Sequence, residues 1–330
     1  MSASGTHSSP KGHGAASTGA DKSIAGPAAG AATSTTTSQP GGQPGNGPDA
    51  GQDQNPNDKA ADGFIDTWLT AEPWHRLPGA FQTASRRPLQ QLLEAVGFQL
   101  RTAALDSSDS RVSAVKLPWW HEEMTLLGRG QPRHPLTRAL AALPGSDFDE
   151  EAGRQWVLAA ARLATDDSDA DLAARLVRWH GYGQAQQQAS APWLPIAAGD
   201  AQLHGLALLA ERLPAMAHDH RRGWLPLPLM QMARHGLDRS SVAGGADNPA
   251  VLAAVADYAG ELTQALAAAL ARARRKGSDA AGSGYRRGQA RLAQMLARHI
   301  ARQPRQAWSG QHRLPGPLAA LSVWRVSRPR

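Results

Sequence analysis

The sequence contains no cysteine, and aromatic residues make up only 5% of its 330 positions. The lack of Cys excludes a disulfide framework, Cys-ligated zinc, an iron–sulfur cluster and a thiol nucleophile. No apolar run approaches the length of about 18 residues that a transmembrane helix needs, and the first residues lack the apolar stretch of a secretory signal. These absences predict a cytoplasmic protein, with peripheral attachment to a membrane as the alternative.

Residues 1–61 contain almost no Leu, Ile, Val or aromatic side chain, and Gly, Ser, Thr, Ala, Pro, Asn and Gln dominate them. Such a segment cannot bury enough apolar surface to offset the entropy of ordering the chain. An apolar period begins just afterwards, at Phe64, Ile65 and Trp68. We therefore predict a disordered low-complexity tail over 1–61 and a single domain over 62–330.

Positive charge is concentrated at the C-terminal end of the chain. From Arg272 to Arg330 there are 13 Arg and one Lys against a single acid, Asp279. Such a region can contact a protein partner or an anionic membrane surface, or it can supply the solvated faces of helices. No stacking aromatic residues alternate with these arginines, which disfavours a nucleic-acid partner.

The chain after residue 61 is rich in Ala, Leu, Arg, Gln and Glu, which favour helices. Apolar residues recur at steps of three and four, as at Leu89, Leu92, Leu93, Val96 and Leu100, which predicts a helix over 86–104. No segment shows the alternation of a strand, so the predicted fold class is all-α. Further helices are predicted over 111–127, 134–142, 150–164, from 168 onward, and over 203–213, 227–235, 249–276, 286–301 and 314–324.

Two segments combine Trp, Pro and charge. The first runs Lys-Leu-Pro-Trp-Trp-His-Glu-Glu-Met over 116–124 and continues as Gly-Gln-Pro-Arg-His-Pro-Leu-Thr-Arg-Ala-Leu over 130–140. The second runs Arg-Arg-Gly-Trp-Leu-Pro-Leu-Pro-Leu-Met over 221–230 and reaches His-Gly-Leu at 235–237. Together with Pro-Leu-Ala-Ala-Leu-Ser-Val-Trp-Arg at 317–325, and in this order, they resemble the squalene/phytoene synthase family over residues 64–330.

The resemblance implies an isoprenoid-synthase-like helical bundle around a central cavity. Catalytic members join two prenyl diphosphates head to head, and two Asp-rich motifs on facing helices hold the Mg²⁺ that draws off diphosphate. Mg²⁺ is therefore implied as a cofactor only if the chain is catalytic. Trp120 and Glu123, in the first segment, are candidates for ligand binding. Arg221 and Arg222 are candidates for clamping a diphosphate, because a guanidinium binds such oxygens in a bidentate manner.

The resemblance places one Asp-rich motif on the helix before the Trp-Trp segment and the other on the helix before the Leu-Pro pair at 225–226. The carboxylates that this chemistry needs are missing from both places. Residues 93–101 contain one acid, Glu94, and residues 208–216 contain one, Glu211; Asp219 follows in a segment predicted to be a loop. An Asp-rich stretch does occur at 166–171, where Asp167 and Asp171 could share one helix face as a displaced metal motif. The alternative is a cap at the start of a helix, where the dipole favours Asp.

Two functions follow from these observations. The first is a non-catalytic or divergent relative, similar to the complex I assembly factor branch of the family, that binds an isoprenoid, another lipid or a protein. The second is a Mg²⁺-dependent prenyl-diphosphate transferase. The sequence leaves enzymatic activity open, and the missing carboxylates favour the first function.

Overall fold

The computed structural model describes residues 56–106, 110–144, 147–164, 169–194, 199–275, 283–310 and 317–328. Within them, helices follow one another along the chain and no strand occurs, so the predicted all-α class is confirmed. The helices are α1 Pro56–Ala71, α2 Arg76–Ala80, α3 Arg87–Leu105, α4 Ser110–Gly128, α5 Pro135–Ala141, α6 Glu150–Leu163, α7 Leu172–Ser190, α8 Asp200–Glu211, α9 Met216–Arg221, α10 Leu229–Arg234, α11 Arg239–Val242, α12 Pro249–Arg275, α13 Ser283–Arg302 and α14 Pro317–Ser327.

The helix bounds lie close to those that apolar periodicity predicts. The helix predicted over 86–104 is α3, Arg87–Leu105, and the one predicted over 249–276 is α12, Pro249–Arg275. Helix α1 begins at Pro56, before residue 62, and its Ala61 is already buried. The division into a tail over 1–61 and a domain over 62–330 stays a prediction.

Helix α8 lies at the centre of the described bundle, and nearly every one of its residues is buried. It packs against α7, α12 and α13. Apolar side chains from all four helices fill the space between them, because each contributes a face with three- and four-residue spacing. The largest fully buried side chains include Trp68, Trp156, Tyr182, Tyr258, Leu93, Leu100 and Leu203.

Two glycines allow α7 and α8 to approach each other closely. A β-carbon added to Gly183 would lie 2.3 Å from the Ala201 carbonyl oxygen, and one added to Gly205 would lie 2.2 Å from the Trp179 carbonyl oxygen. Both contacts are with backbone, which cannot move aside. Because neither glycine carries a side chain, the backbones of α7 and α8 can lie in contact. This contact places Trp179, on α7, directly beside α8.

Two local predictions were wrong. The helix predicted from 168 begins at Leu172, and Asp171 is its N-cap, with a carboxylate that accepts a hydrogen bond from the Ala174 N–H at 2.8 Å. The segment around Asp219, predicted to be a loop, forms the short helix α9 directly after a turn of 3₁₀ helix at Leu213–Ala215. Among the described helices, none is long and apolar enough to cross a membrane.

Candidate functional site

A cavity of about 240 Å³ lies between the end of α1 and helices α3, α7 and α8. Its walls combine aromatic and aliphatic side chains with several charged ones. They are Ala71, Glu72, Trp74, Phe98, Arg101, Thr102, Leu105, Asp106, Trp179, Leu208, Glu211, Arg212 and Ala215. A smaller pocket of about 70 Å³ shares Leu105, Trp179 and Arg212 with it. The two spaces are therefore neighbours with a common wall.

Glu72 and Arg101 form an ion pair in the wall of this cavity. The Arg101 guanidinium nitrogen Nη2 lies 3.1 Å from Glu72 Oε2, and the Trp68 indole N–H donates to the same oxygen at 2.9 Å. Burial opposes ionisation of Glu72, but Arg101 and the hydrogen bonds from His75 and Trp68 lower its pKa to about 2. Glu72 is thus a carboxylate whose charge is balanced within the protein.

His75 joins Glu72 to Glu211 on α8. Its Nε2 lies 3.2 Å from Glu72 Oε2 and 3.5 Å from Glu211 Oε2. Its Nδ1 lies 2.7 Å from the Tyr285 hydroxyl oxygen. Burial disfavours the charged ring, yet the two carboxylates raise the pKa of His75 to about 9. The ring is therefore an imidazolium at neutral pH, held between two acids.

A second charged group lies deeper in the bundle. Arg286, on α13, makes an ion pair with Glu94, on α3, at 2.6 Å. The same guanidinium lies 2.8 Å from His204 Nδ1, and His204 Nε2 lies 2.8 Å from the Gln186 side-chain oxygen. Burial and the neighbouring Arg286 lower the pKa of His204 well below its usual range. A neutral ring that donates through Nε2 and accepts through Nδ1 satisfies both contacts.

Arg212 holds two carboxylates together at one end of the cavity. Its Nη1 lies 2.6 Å from Asp106, at the end of α3, and its Nη2 lies 2.5 Å from Asp219, on α9. Burial disfavours the cation, but Asp219 and Asp106 raise the pKa of Arg212. His218 Nε2 also lies 3.7 Å from Asp106. Carboxylates from two elements meet here, and a guanidinium lies between them.

These residues do not fit the Mg²⁺ cluster that the resemblance implies. Divalent magnesium is held by oxygen ligands, with carboxylates supplying the negative charge. Both carboxylates at this end of the cavity are bound to Arg212. In the part of the chain that the structure describes, no three His, Asp or Glu residues are placed to hold a metal ion together.

Trp120 and Glu123, predicted to bind a ligand, lie in the contact between α4 and α5. One oxygen of Glu123 accepts hydrogen bonds from the backbone N–H groups of Arg133 and His134, both at 2.8 Å, and from the Thr137 hydroxyl at 2.5 Å. The Trp120 ring packs on His134 at 4.9 Å. Burial lowers the pKa of His134 to about 4, so its ring is neutral. Glu123 thus satisfies the N–H groups of the two residues that directly precede α5.

The two candidate arginines differ in their surroundings. Arg221 is exposed. Arg222 donates a hydrogen bond to the Leu105 carbonyl oxygen, and its guanidinium lies 4.5 Å from the centre of the Trp224 ring. Because Leu105 and Trp224 both line the smaller pocket, Arg222 lies beside the candidate site.

Of the two weak metal candidates, Asp171 caps α7 and Asp167 lies outside the described residues. Their neighbour Asp169 is buried and makes ion pairs with Arg175, at 2.8 Å, and with Arg178. The negative charge of Asp169 is therefore balanced by two arginines of α7.

Sequence reasoning missed Glu72, Arg101 and Arg212 as members of the site. A signal for Arg101 was present, because Glu94, Gly97 and Arg101 recur at helical spacing on the buried side of α3. Charged residues on the buried face of a helix indicate an internal ion pair. Nothing in the sequence showed which residues would pair with them.

The fold has recognisable counterparts among solved structures. The crystal structure of a dehydrosqualene synthase in complex with ligand matches with a TM-score of 0.61 and 12% sequence identity, over 82% of this chain and 96% of that one. The chain has a squalene/phytoene synthase-like fold. The squalene synthase HpnC from Alicyclobacillus acidocaldarius matches with a TM-score of 0.48 and 15% identity, over 75% of this chain and 95% of that one. No protein-family model and no curated protein sequence matches. The similarity to the complex I assembly factor branch stays a prediction.

Proposed function

We propose that this chain is a non-catalytic protein of squalene/phytoene synthase-like fold that binds an isoprenoid or another lipid in the cavity between α3 and α8. The observation that carries the proposal is the position of Arg212 between Asp106 and Asp219. A guanidinium in this place balances carboxylates that would otherwise be free for a divalent cation.

The chemistry of prenyl transfer explains why a guanidinium between these carboxylates matters. Ionisation of an allylic diphosphate releases an anion with several negative charges, and clustered divalent cations stabilise it. Arg212 cannot take over that task, since its donors are engaged by two carboxylates. Arg101 is likewise paired with Glu72. Among the described residues that line the cavity, neither arginine is therefore an unbalanced cation for a leaving diphosphate.

The walls of the cavity support binding of a lipid. Trp74, Phe98, Trp179 and Leu208 give it a largely apolar lining with a few polar groups, the composition typical of small-molecule sites. The alternative, a Mg²⁺-dependent prenyl transferase, is favoured by the likeness of the fold to a dehydrosqualene synthase. Fold alone does not determine function, and a direct assay distinguishes the two.

The assay has two readouts on the full chain. Incubation with farnesyl or geranylgeranyl diphosphate and Mg²⁺ is followed by extraction and mass spectrometry, and we expect no carbon–carbon-coupled product. Calorimetric titration with prenyl alcohols, ethers and diphosphates of ten and fifteen carbons is expected to show binding of at least one of them. A coupled product would overturn the non-catalytic assignment, and failure of every compound to bind would overturn the assignment to lipids.

We also propose that the Arg-rich end contacts an anionic membrane surface. Part of its charge is internal, since Arg286 is paired with Glu94 and Arg287 donates to the Val326 carbonyl oxygen. Arg274, on α12, and Arg298, on α13, are exposed. Burial and these two cations lower the pKa of Arg291. The positive potential on this face supports attraction to anionic lipids.

A further inference from the structure

Helix α14 lies on the surface of the bundle, where it packs against α13 and α2. One side of the helix is buried, at Ala319, Val323 and Val326. A side-chain contact ties it to α13, because Nε of Arg291 donates to the Ser322 hydroxyl oxygen at 2.6 Å. The buried side of α14 is therefore held by its neighbours, and the opposite side faces outward.

The outward side of α14 combines apolar surface with positive charge. Leu321 is 45% exposed, Trp324 is half-buried, and Arg325 and Arg328 are exposed. Steps of three and four residues separate them, so they share one side of the helix. The Arg328 guanidinium lies 3.8 Å from the centre of the Trp324 ring, in cation–π contact. A leucine and a tryptophan thus lie beside two arginines on an exposed surface.

No acidic residue of the neighbouring helices offsets this charge, since α2, α13 and α14 contain no Asp or Glu. Arg291 donates to two neutral oxygens, those of Ser322 and, at 2.5 Å, of the Gln294 side chain. Burial and the charges of Arg298 and Arg274 lower its pKa, so those two exposed cations lie close to it. The outward side of α14 therefore continues the Arg-rich face formed by α12 and α13.

A bilayer that contains anionic lipid matches both properties of this surface. Its phosphates attract arginines, and the boundary between head groups and acyl chains accepts apolar side chains to a depth of about 5–10 Å. Tryptophan is enriched at that boundary. A single-stranded nucleic acid would instead stack on open aromatic rings, whereas the Trp324 ring is half-buried and carries Arg328 on one face. The surface therefore favours a membrane over a nucleic acid.

We propose that α14 lies on an anionic membrane, with Leu321 and Trp324 inserted between the lipid head groups and with Arg325 and Arg328 among the phosphates. The inference rests on the proposed contact between the Arg-rich end and a membrane. It adds to that electrostatic contact a named helix and an apolar insertion. The membrane is thus held by burial of side chains as well as by charge.

Binding to vesicles of phosphatidylglycerol and phosphatidylcholine tests the contribution of Leu321. The variant Leu321→Gln leaves the net charge unchanged, and vesicle sedimentation should show binding weakened about threefold to tenfold, because roughly half of a leucine side chain would lose its burial. The matched control is Leu158→Gln on α6, where the leucine is 41% exposed and the helix packs against α3, α4 and α7. Its vesicle binding should equal that of the unaltered protein.

Quenching by lipids brominated on their acyl chains tests the position of Trp324. Such lipids quench the fluorescence of tryptophans that reach the acyl chains, so the unaltered protein should lose fluorescence when it binds these vesicles. The variant Trp324→Phe should lose markedly less. The matched control is Trp119→Phe on α4, where the tryptophan is 39% exposed, and it should be quenched as strongly as the unaltered protein.

Each contrary result has a distinct meaning. Vesicle binding without quenching, or an equal loss of binding in the two leucine variants, would overturn insertion of α14; attraction of the Arg-rich end to anionic lipid would stand. Failure to bind anionic vesicles would overturn both. Tighter binding to single-stranded RNA than to these vesicles would also overturn both. Quenching is measured first on the unaltered protein, so a folding defect in a variant would not prevent the test.

Discussion

The guanidinium of Arg212 donates to the carboxylate of Asp106 across 2.6 Å, although 106 positions of the chain separate them. The contact ties the segment that follows α8 to the end of α3, and Asp219 completes it from α9. The positive charge between these two carboxylates is supplied by a side chain of the protein itself. Because this cation is covalently part of the chain, the two carboxylates are balanced whenever the protein is folded.

Replacement of Arg212 by Ala is therefore expected to destabilise the protein. Asp106 and Asp219 would lose the guanidinium that lies between them, and we expect a loss of about 1–3 kcal/mol in the free energy of unfolding, less than for a fully buried pair. Urea denaturation measures this loss. The control is Arg234→Ala, which breaks an exposed ion pair with Glu261 and should cost less than about 1 kcal/mol. Equal losses in the two variants would contradict the structural importance of the Arg212 contact.

Stability is expected to fall on the alkaline side because of His75. Its pKa is about 9 in the folded protein and has a reference value of 6.5. The raised pKa means that the folded state binds the proton more tightly, so its contribution is fully present below pH 6.5 and is lost as pH rises through 9. The shift corresponds to roughly 3 kcal/mol, at about 1.4 kcal/mol per pKa unit.

The variant His75→Gln tests this contribution. It removes the titrating ring, so the decline in the free energy of unfolding between pH 6.5 and 9 should become markedly smaller. Urea denaturation across this range measures the slope. The comparison is restricted to the alkaline side because the lowered pKa values of Glu72, His134 and His204 all reduce stability on acidification. An unchanged alkaline slope in His75→Gln would show that another group causes the decline.

Much of the helical framework could be predicted because it depends on local patterns. The apolar spacing around Leu89, Leu93 and Leu100 fixed α3 to within one residue at each end. The site could not be predicted in the same way. Arg212 meets Asp106 only after the bundle has assembled, and no short-range pattern encodes a contact over such a separation. The sequence predicts a loop around Asp219 and does not show the ion pair that joins its side chain to Arg212.

The importance of Glu123 can be tested against its predicted role in ligand binding. Its carboxylate accepts from two backbone N–H groups and the Thr137 hydroxyl. In Glu123→Ala all three donors lose their partner, and we expect a loss of about 2–4 kcal/mol in the free energy of unfolding. The control is the adjacent Glu122→Ala, whose exposed side chain pairs with exposed Arg133 and which should cost less than about 1 kcal/mol. Loss of prenyl-compound binding in a folded Glu123 variant would instead support a role in the ligand site.

Attraction of the Arg-rich end to anionic lipid can be tested with vesicles of phosphatidylglycerol mixed with phosphatidylcholine. The double variant Arg274→Gln and Arg298→Gln removes two exposed charges from neighbouring helices. Each basic residue near such a surface contributes about 1 kcal/mol, so vesicle sedimentation should show binding weakened roughly thirtyfold. Binding should also fall as salt increases.

A matched double variant distinguishes a local contact from the effect of net charge. Arg133→Gln with Arg138→Gln makes the same change in charge at exposed positions beside and on α5. If the face formed by α12 and α13 contacts the membrane, this control should retain most of the vesicle binding, because charges beyond about 10 Å are screened at ordinary ionic strength. An equal loss in both double variants would show that the attraction depends on overall charge, and the Arg274 and Arg298 face would no longer be assigned to the membrane.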